Sequence, residues 1–213
     1  MRPFSSSRSI LVWFFALAPG LFLTSGCCRI EQGVFLGEFS LLTGSENWFP
    51  FSAGNTVRFE SSDGQEEVFQ YGAIERFQEE SVTGCISSEC ATECDEYRSE
   101  VIISQLKSLV SGYQIDMQIS KDFDLYSPYE PAAEIKDKIT LRLNGSYTCI
   151  QRELPEANPN QTITLNGRTF NQVVVCELTV AEAETGEPSA IYYSKTQGVV
   201  GFRIGKSQVW RLK

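Results

Sequence analysis

Tyr113-Gln114-Ile115-Asp116-Met117-Gln118-Ile119-Ser120 alternates apolar and polar side chains without a break. Successive side chains of a strand point to opposite faces, so this run is a strand with one dry face and one wet face. Ile139, Leu141 and Leu143 repeat the pattern and lead into Asn144-Gly145, a tight-turn dipeptide, with Tyr147–Ile150 returning. A second turn, Asn166-Gly167, closes another hairpin. With a two-residue loop it sets Ile163 opposite Phe170. The strand that follows carries Val174, Cys176, Leu178 and Val180 in one phase, with Glu177 and Thr179 in the other.

The same period extends to both sides. Upstream, Val57 and Phe59 precede Asp63-Gly64, and Val68-Phe69-Gln70-Tyr71 follows. A three-residue loop over Asp63–Gln65 pairs Phe59 with Phe69 and Val57 with Tyr71, which keeps the apolar residues on one face. Downstream, Ile191 and Tyr193 share a face, Gln197-Gly198 turns the chain, and Val200, Phe202 and Ile204 share the next face. Gly205-Lys206-Ser207 turns it again and brings Trp210 opposite Phe202. Helical signals are confined to Ala73–Glu80 and Ser104–Gly112, each with room for a turn or two. Ser127–Pro131 and Glu153–Asn160 read as loops. Val101-Ile102-Ile103 reads as strand. The expected fold is mainly β, an antiparallel meander of about eight to twelve strands forming a curved sheet, a sandwich or a partly open barrel.

The N-terminus has a different grammar. Arg2 and Arg8 precede an apolar run from Ile10 to Leu23, and Thr24-Ser25-Gly26-Cys27-Cys28 follows. A positive stretch, an apolar stretch and a small-residue site in that order make a cleavable signal helix. The run is shorter than the about 20 apolar residues a membrane-spanning helix needs. Leu23 to Cys27 resembles the lipobox of bacterial lipoproteins, with Leu23 four residues before the cysteine and Thr24 in the usual leucine position. That resemblance implies a diacylglycerol on Cys27, cleavage before it, and palmitate-type acylation holding the protein to a membrane. Two or more chains anchor stably, at about 0.8 kcal/mol per buried CH₂.

Tyr192-Tyr193-Ser194-Lys195, Gly198-Val199-Val200-Gly201-Phe202 and Trp210, with Trp48-Phe49-Pro50-Phe51 and Gly54–Glu60 upstream, look like segments of uncharacterised bacterial lipoproteins. This second resemblance implies a tethered β-rich domain and brings no functional residues with it. The expected organisation is a signal peptide over 1–26, a lipidated tether over 27–34, and one β-rich domain over 35–213. A polar, acidic segment at 79–100 carries Cys85, Cys90 and Cys94 and interrupts the strand pattern as an insertion.

Composition narrows the chemistry. The formal net charge is −9, and the chain has no histidine. Phosphate neutralisation needs Lys/Arg patches, so the acidic balance argues against nucleic acid. The lack of histidine removes Ser-His-Asp and Cys-His nucleophile systems and His-ligated zinc. No catalytic, cofactor or metal residues are nominated.

After Cys27 six cysteines remain, which admit 15 pairings. An exported protein meets oxidising conditions, and the strand positions favour Cys149 with Cys176. Cys85, Cys90 and Cys94 read as a stapled surface loop. Their spacing suits no zinc motif, and the neighbouring carboxylates disfavour thiolate. Asn144 fits an N-glycosylation pattern and is better explained by its turn. The aromatics Trp48, Phe49 and Phe51 serve either as an exposed patch for sugar or lipid or as a segment tucked under the sheet. Burial statistics favour the second.

The functional expectation is a non-enzymatic binding or accessory lipoprotein of the bacterial cell envelope, on the outer membrane facing the periplasm or the exterior. Its partner is an envelope protein, glycan or lipid. Two alternatives stand beside it. One is a carrier or chaperone sheltering a lipid or apolar peptide in a half-open barrel, whose sign is a concave cavity before Ile115, Met117 and Ile119. The other is a histidine-free hydrolase using two carboxylates about 5–9 Å apart.

Overall fold

The computed structural model describes residues 29–87, 91–123, 135–177 and 186–213. The signal segment 1–26, Cys27, Cys28 and Ser127–Pro131 lie outside them, as do Leu178 and Val180.

Among the described residues, 13 strands form one sheet that curls into a half-barrel. Its axis is β5 (Ala91–Ser108), 18 residues long. The inner half of β5 pairs with β6 (Gln114–Lys121) on one edge and β3 (Glu66–Tyr71) on the other. From β6 the sheet continues through β7 (Asp137–Leu143) to β8 (Tyr147–Leu154). From β3 it runs through β2 (Thr56–Ser61), β13 (Gln208–Leu212), β12 (Gly198–Ile204) and β11 (Pro188–Ser194). It ends at β10 (Arg168–Glu177) and β9 (Gln161–Leu165).

The outer half of β5 projects from the body as an arm. There β4 (Glu75–Ser87) pairs antiparallel on one edge, and β1 (Arg29–Phe39) pairs parallel on the other.

The apolar phase read from the sequence becomes the concave face. Ile115, Met117 and Ile119 of β6 and Ile139, Leu141 and Leu143 of β7 are all buried, in one cluster with Phe59, Phe69, Ile191, Tyr193, Phe202 and Trp210. Aromatic rings interlock at its centre, with Phe59 5.0 Å from Phe69 and Trp210 stacked 5.9 Å from Phe202. Such pairs contribute about 0.5–1.5 kcal/mol each beyond their buried area.

Residues 40–51 lie across the open side and plug it. A 3₁₀ turn at Ser45–Trp48 brings Trp48 to full burial, stacked on Tyr193 at 6.4 Å. The Tyr193 hydroxyl donates to the Trp48 carbonyl, and the Lys195 ammonium sits 5.3 Å from the Trp48 ring. Phe51 stacks on Tyr71. The aromatic run is therefore tucked inside, as a plug.

The two ends of the curl meet at Cys149 in β8 and Cys176 in β10. These are disulfide-bonded with Cα atoms 5.6 Å apart. The β9–β10 hairpin then folds over the convex face. Asn166 and Gly167 form its turn with φ 44 and 79, and Ile163 stands opposite Phe170 as the two-residue loop requires. Asn166 Nδ2 donates to the Val209 carbonyl and Arg168 to the Leu212 carbonyl, both at 3.1 Å. Leu165 then lies against Gly201, where a β-carbon would stand 2.5 Å from Leu165 Cδ1. This second layer buries both faces of β11 and β12.

Several expectations are corrected. The β2–β3 loop is three residues long but centred one residue earlier, on Asp63, with the Ser61 N–H bonded to the Gln65 carbonyl. Val57 therefore faces Phe69, and Phe59 faces Glu67. The shift is two residues, so the faces survive. Val200 does not share the face of Phe202. A bulge between Val199 and Gly201 turns Val200 to the second cluster and Val199 to the main core. Ala73–Glu80 and Ser104–Gly112 contain strand in place of helical turns, because Glu75 onward and residues up to Ser108 pair across the β4–β5 hairpin and its neighbours. Within the segment 79–100, residues 79–87 belong to β4 and 91–100 to β5. The tether over 27–34 is already strand from Arg29.

Candidate functional site

Among the described residues the main core cluster draws none from β1, β4 or the part of β5 before Ile102. The base of the arm is packed, with Tyr97 stacked 3.7 Å from Phe123 and Phe39 edge-on to both. Further out, Val34, Phe35 and Val82 are exposed and Cys94 is buried. Cross-strand ion pairs hold the ribbon there. Arg98 reaches Glu80 at 2.7 Å and Glu38 at 3.5 Å, and Arg76 reaches Glu100 at 2.8 Å. The Glu80 carboxylate, and after it Glu38, raise the Arg98 pKa above its ordinary value. Each exposed pair contributes little on its own.

Between them lies a groove of about 550 Å³ lined by Phe35, Val82, Glu96 and Arg98, among others. Phe35 is 54 % exposed and Val82 58 %. Because β1 runs parallel to β5, Arg29 stands opposite Ala91 at the arm's outer end. Cys27 is two residues earlier in the chain, a span of at most about 7 Å.

A second feature sits where the arm joins the body. Lys121 Nζ lies 2.8 Å from Asp137 Oδ1, and both side chains are buried. The other oxygen, Asp137 Oδ2, accepts the Leu42 N–H at 2.6 Å, while Glu100 accepts that of Leu41 at 3.0 Å. Two carboxylates thus fasten the start of the plug. On the other side of β6, Asp122 is held by Lys138 and Arg152. These acids engage cations and backbone amides, a structural use.

Sequence reasoning missed the Lys121–Asp137 pair. The signal was present, since Lys121 continues the phase of Ile115, Met117 and Ile119, and Asp137 that of Ile139, Leu141 and Leu143. Paired strands with opposite charges at matching inward positions predict a buried ion pair.

The remaining nominated residues fall as follows. Ile115, Met117 and Ile119 are inside the core cluster, 0–1 % exposed. Cys94 is disulfide-bonded. Cys149 and Cys176 are bonded to each other, and Cys85 and Cys90 lie outside the described side chains. No group of three or more His, Cys, Asp or Glu is placed to hold a metal among the described residues. No helix among them is long and apolar enough to cross a membrane. Asn144 takes φ 52 in the β7–β8 turn, which accounts for its presence.

The phenols of Tyr71 and Tyr193, in the main core, and of Tyr192, in the second cluster, have raised pKa values. Burial pushes Tyr71 up to about 12, with the Val199 backbone opposing. Burial also raises Tyr193 well above its ordinary value. Tyr192 is raised by burial first and by its hydrogen bond to Glu177 second.

No protein-family model matches the chain, and no curated protein or solved structure matches it. The site is read from its own geometry.

Proposed function

We propose that this chain is a lipid-anchored protein of the bacterial cell envelope with a non-enzymatic binding or accessory role. The lipid is carried by the Cys27 thiol, and the outer membrane is its seat. The observation that carries the reading is the parallel pairing of β1 with β5, which brings the chain to within two residues of Cys27 at the outer end of the arm. From Ala91 to Ile103 the arm spans about 40 Å at about 3.3 Å per residue. A lipid at that end holds the half-barrel away from the bilayer and leaves the arm's charged ribbon between the two. The filled interior and the plug favour a surface that binds over a cavity that carries.

The test is fractionation of cells making the full chain or its Cys27→Ala variant. The wild type is expected with the membranes. The variant is expected in the soluble fraction, its precursor uncleaved. Continued membrane fractionation of the variant contradicts the anchoring.

A further inference from the structure

We infer that the outer edge of β4 is a docking edge for an extended, basic segment of a partner protein, which adds to the sheet as a further strand. The inference rests on the binding reading above and names the kind of partner. Three observations carry it.

The first is the edge itself. β4 is 13 residues long and pairs only with β5 among the described residues. Residues 73–80 are exposed without interruption. Every second residue of such an edge turns its N–H and C=O to solvent, a template for another strand. Edges are usually blunted by a very short strand, proline, a bulge or charged side chains, lysine above all. Residues 75–83 hold no proline and no lysine and are regular up to Thr83; their charges, Glu75, Arg76, Glu79 and Glu80, turn away like-charged neighbours and leave the edge to a strand of complementary charge.

The second is a pair of grooves on opposite faces of the same stretch. On the concave side a groove of about 510 Å³ is lined by Phe49, Pro50, Ile74, Arg76 and Ile102, among others. On the convex side a smaller one of about 170 Å³ is lined by Gly72, Ala73, Glu75 and Ile103, among others. An added strand sends alternate side chains to alternate faces, so the two grooves receive neighbouring residues. Strand addition draws affinity from main-chain bonds and specificity from such pockets.

The third is charge. Glu75, Phe77 and Glu79 share the convex phase of β4. The two carboxylates have no ion-pair partner among the described residues, unlike Glu80, which is held by Arg98. A strand laid beside them satisfies both by placing Lys or Arg four residues apart with an apolar residue between, opposite Phe77. Its other face carries an apolar side chain for the concave groove. Acidic segments are repelled, because like charges directly opposite are unfavourable.

The probe is the blocked peptide acetyl-Lys-Leu-Val-Thr-Lys-Val-Thr-amide, with a control in which both lysines are glutamate. Binding to the full chain in detergent is followed by fluorescence anisotropy, and the docking position by hydrogen exchange. The lysine peptide is expected to bind about tenfold more tightly than the control, from two cross-strand pairs. It is also expected to slow exchange over residues 75–83. The Glu75→Lys/Glu79→Lys variant, whose substitutions are exposed and remove no contact of the core, is expected to reverse the preference. Equal binding of both peptides, protection at the β8 or β9 edge, or self-association that itself protects β4 would overturn the inference. Failure here leaves the lipid on Cys27 untouched. A missing lipid likewise leaves the peptide result standing.

Discussion

Removing the Cys149–Cys176 bridge gives the sharpest quantitative expectation. The two cysteines are 27 residues apart in sequence and belong to β8 and β10, near opposite ends of the sheet path. Those strands share no ladder, so the bridge is the covalent closure of the curl. On the chain-entropy model a loop of this length restrains the unfolded state by about 3–4 kcal/mol. The Cys149→Ala/Cys176→Ala variant also leaves small gaps, since Cys149 is almost fully buried. Those add about 1 kcal/mol. Urea unfolding is expected to show a total loss of about 4–5 kcal/mol and a steeper denaturant slope, because the uncrosslinked chain exposes more surface when unfolded. Hydrogen exchange is expected to quicken at β8, whose only ladder partner among the described residues is β7, before it quickens at β6. A loss below about 1 kcal/mol with an unchanged slope would refute the reasoning, for it would mean that the unfolded chain is no freer without the bridge.

Further expectations follow from the buried groups. Asp137→Leu leaves Lys121 charged and unpaired inside the body and is expected to cost about 3–5 kcal/mol by urea unfolding, whereas Asp137→Leu with Lys121→Met recovers most of it. Gly201→Ala pushes a methyl against Leu165 and the Trp210 carbonyl, 2.5 and 2.6 Å away. It is expected to cost about 1–3 kcal/mol, read as a lowered melting temperature. The buried phenols make the fold sensitive to alkali. Tyr71 and Tyr193 ionise at higher pH folded than unfolded, so the unfolded state loses its protons first. Their contribution is complete below the ordinary tyrosine pKa and falls as pH rises from there toward about 12. Tyr71→Phe is expected to flatten that fall in chemical unfolding measured across alkaline pH.

The body of the sheet was legible because one of its faces is dry. Ile115, Met117 and Ile119 could occupy only one phase, and Asn166-Gly167 fixed the register of Ile163 with Phe170 because its positive φ values suit a two-residue turn. The pairing of Cys149 with Cys176 was legible for the same reason, both lying in strands of known phase. The β2–β3 loop was misplaced by one residue, since any loop of odd length puts Phe59, Phe69 and Tyr71 on one side and periodicity does not choose among them. Val200 was misassigned because a bulge beside Gly201 reverses phase, and a glycine within a strand is the signal for it. The arm was invisible for a deeper reason. Period two shows where the buried face is a run of apolar residues, and here the buried positions are Cys94, Tyr97 and Ser99, while glutamate stands in both phases at Glu79, Glu80 and Glu96. The candidate docking edge lies in that same stretch, where the alternation that marks other strands is missing.

Mass spectrometry of the natural protein, purified from membranes, tests the anchoring most directly. The expected N-terminal peptide begins at Cys27, bears a diacylglycerol on its sulfur and has lost residues 1–26. A first peptide free of fatty acid, or one that still includes the Ile10–Leu23 run, would contradict it.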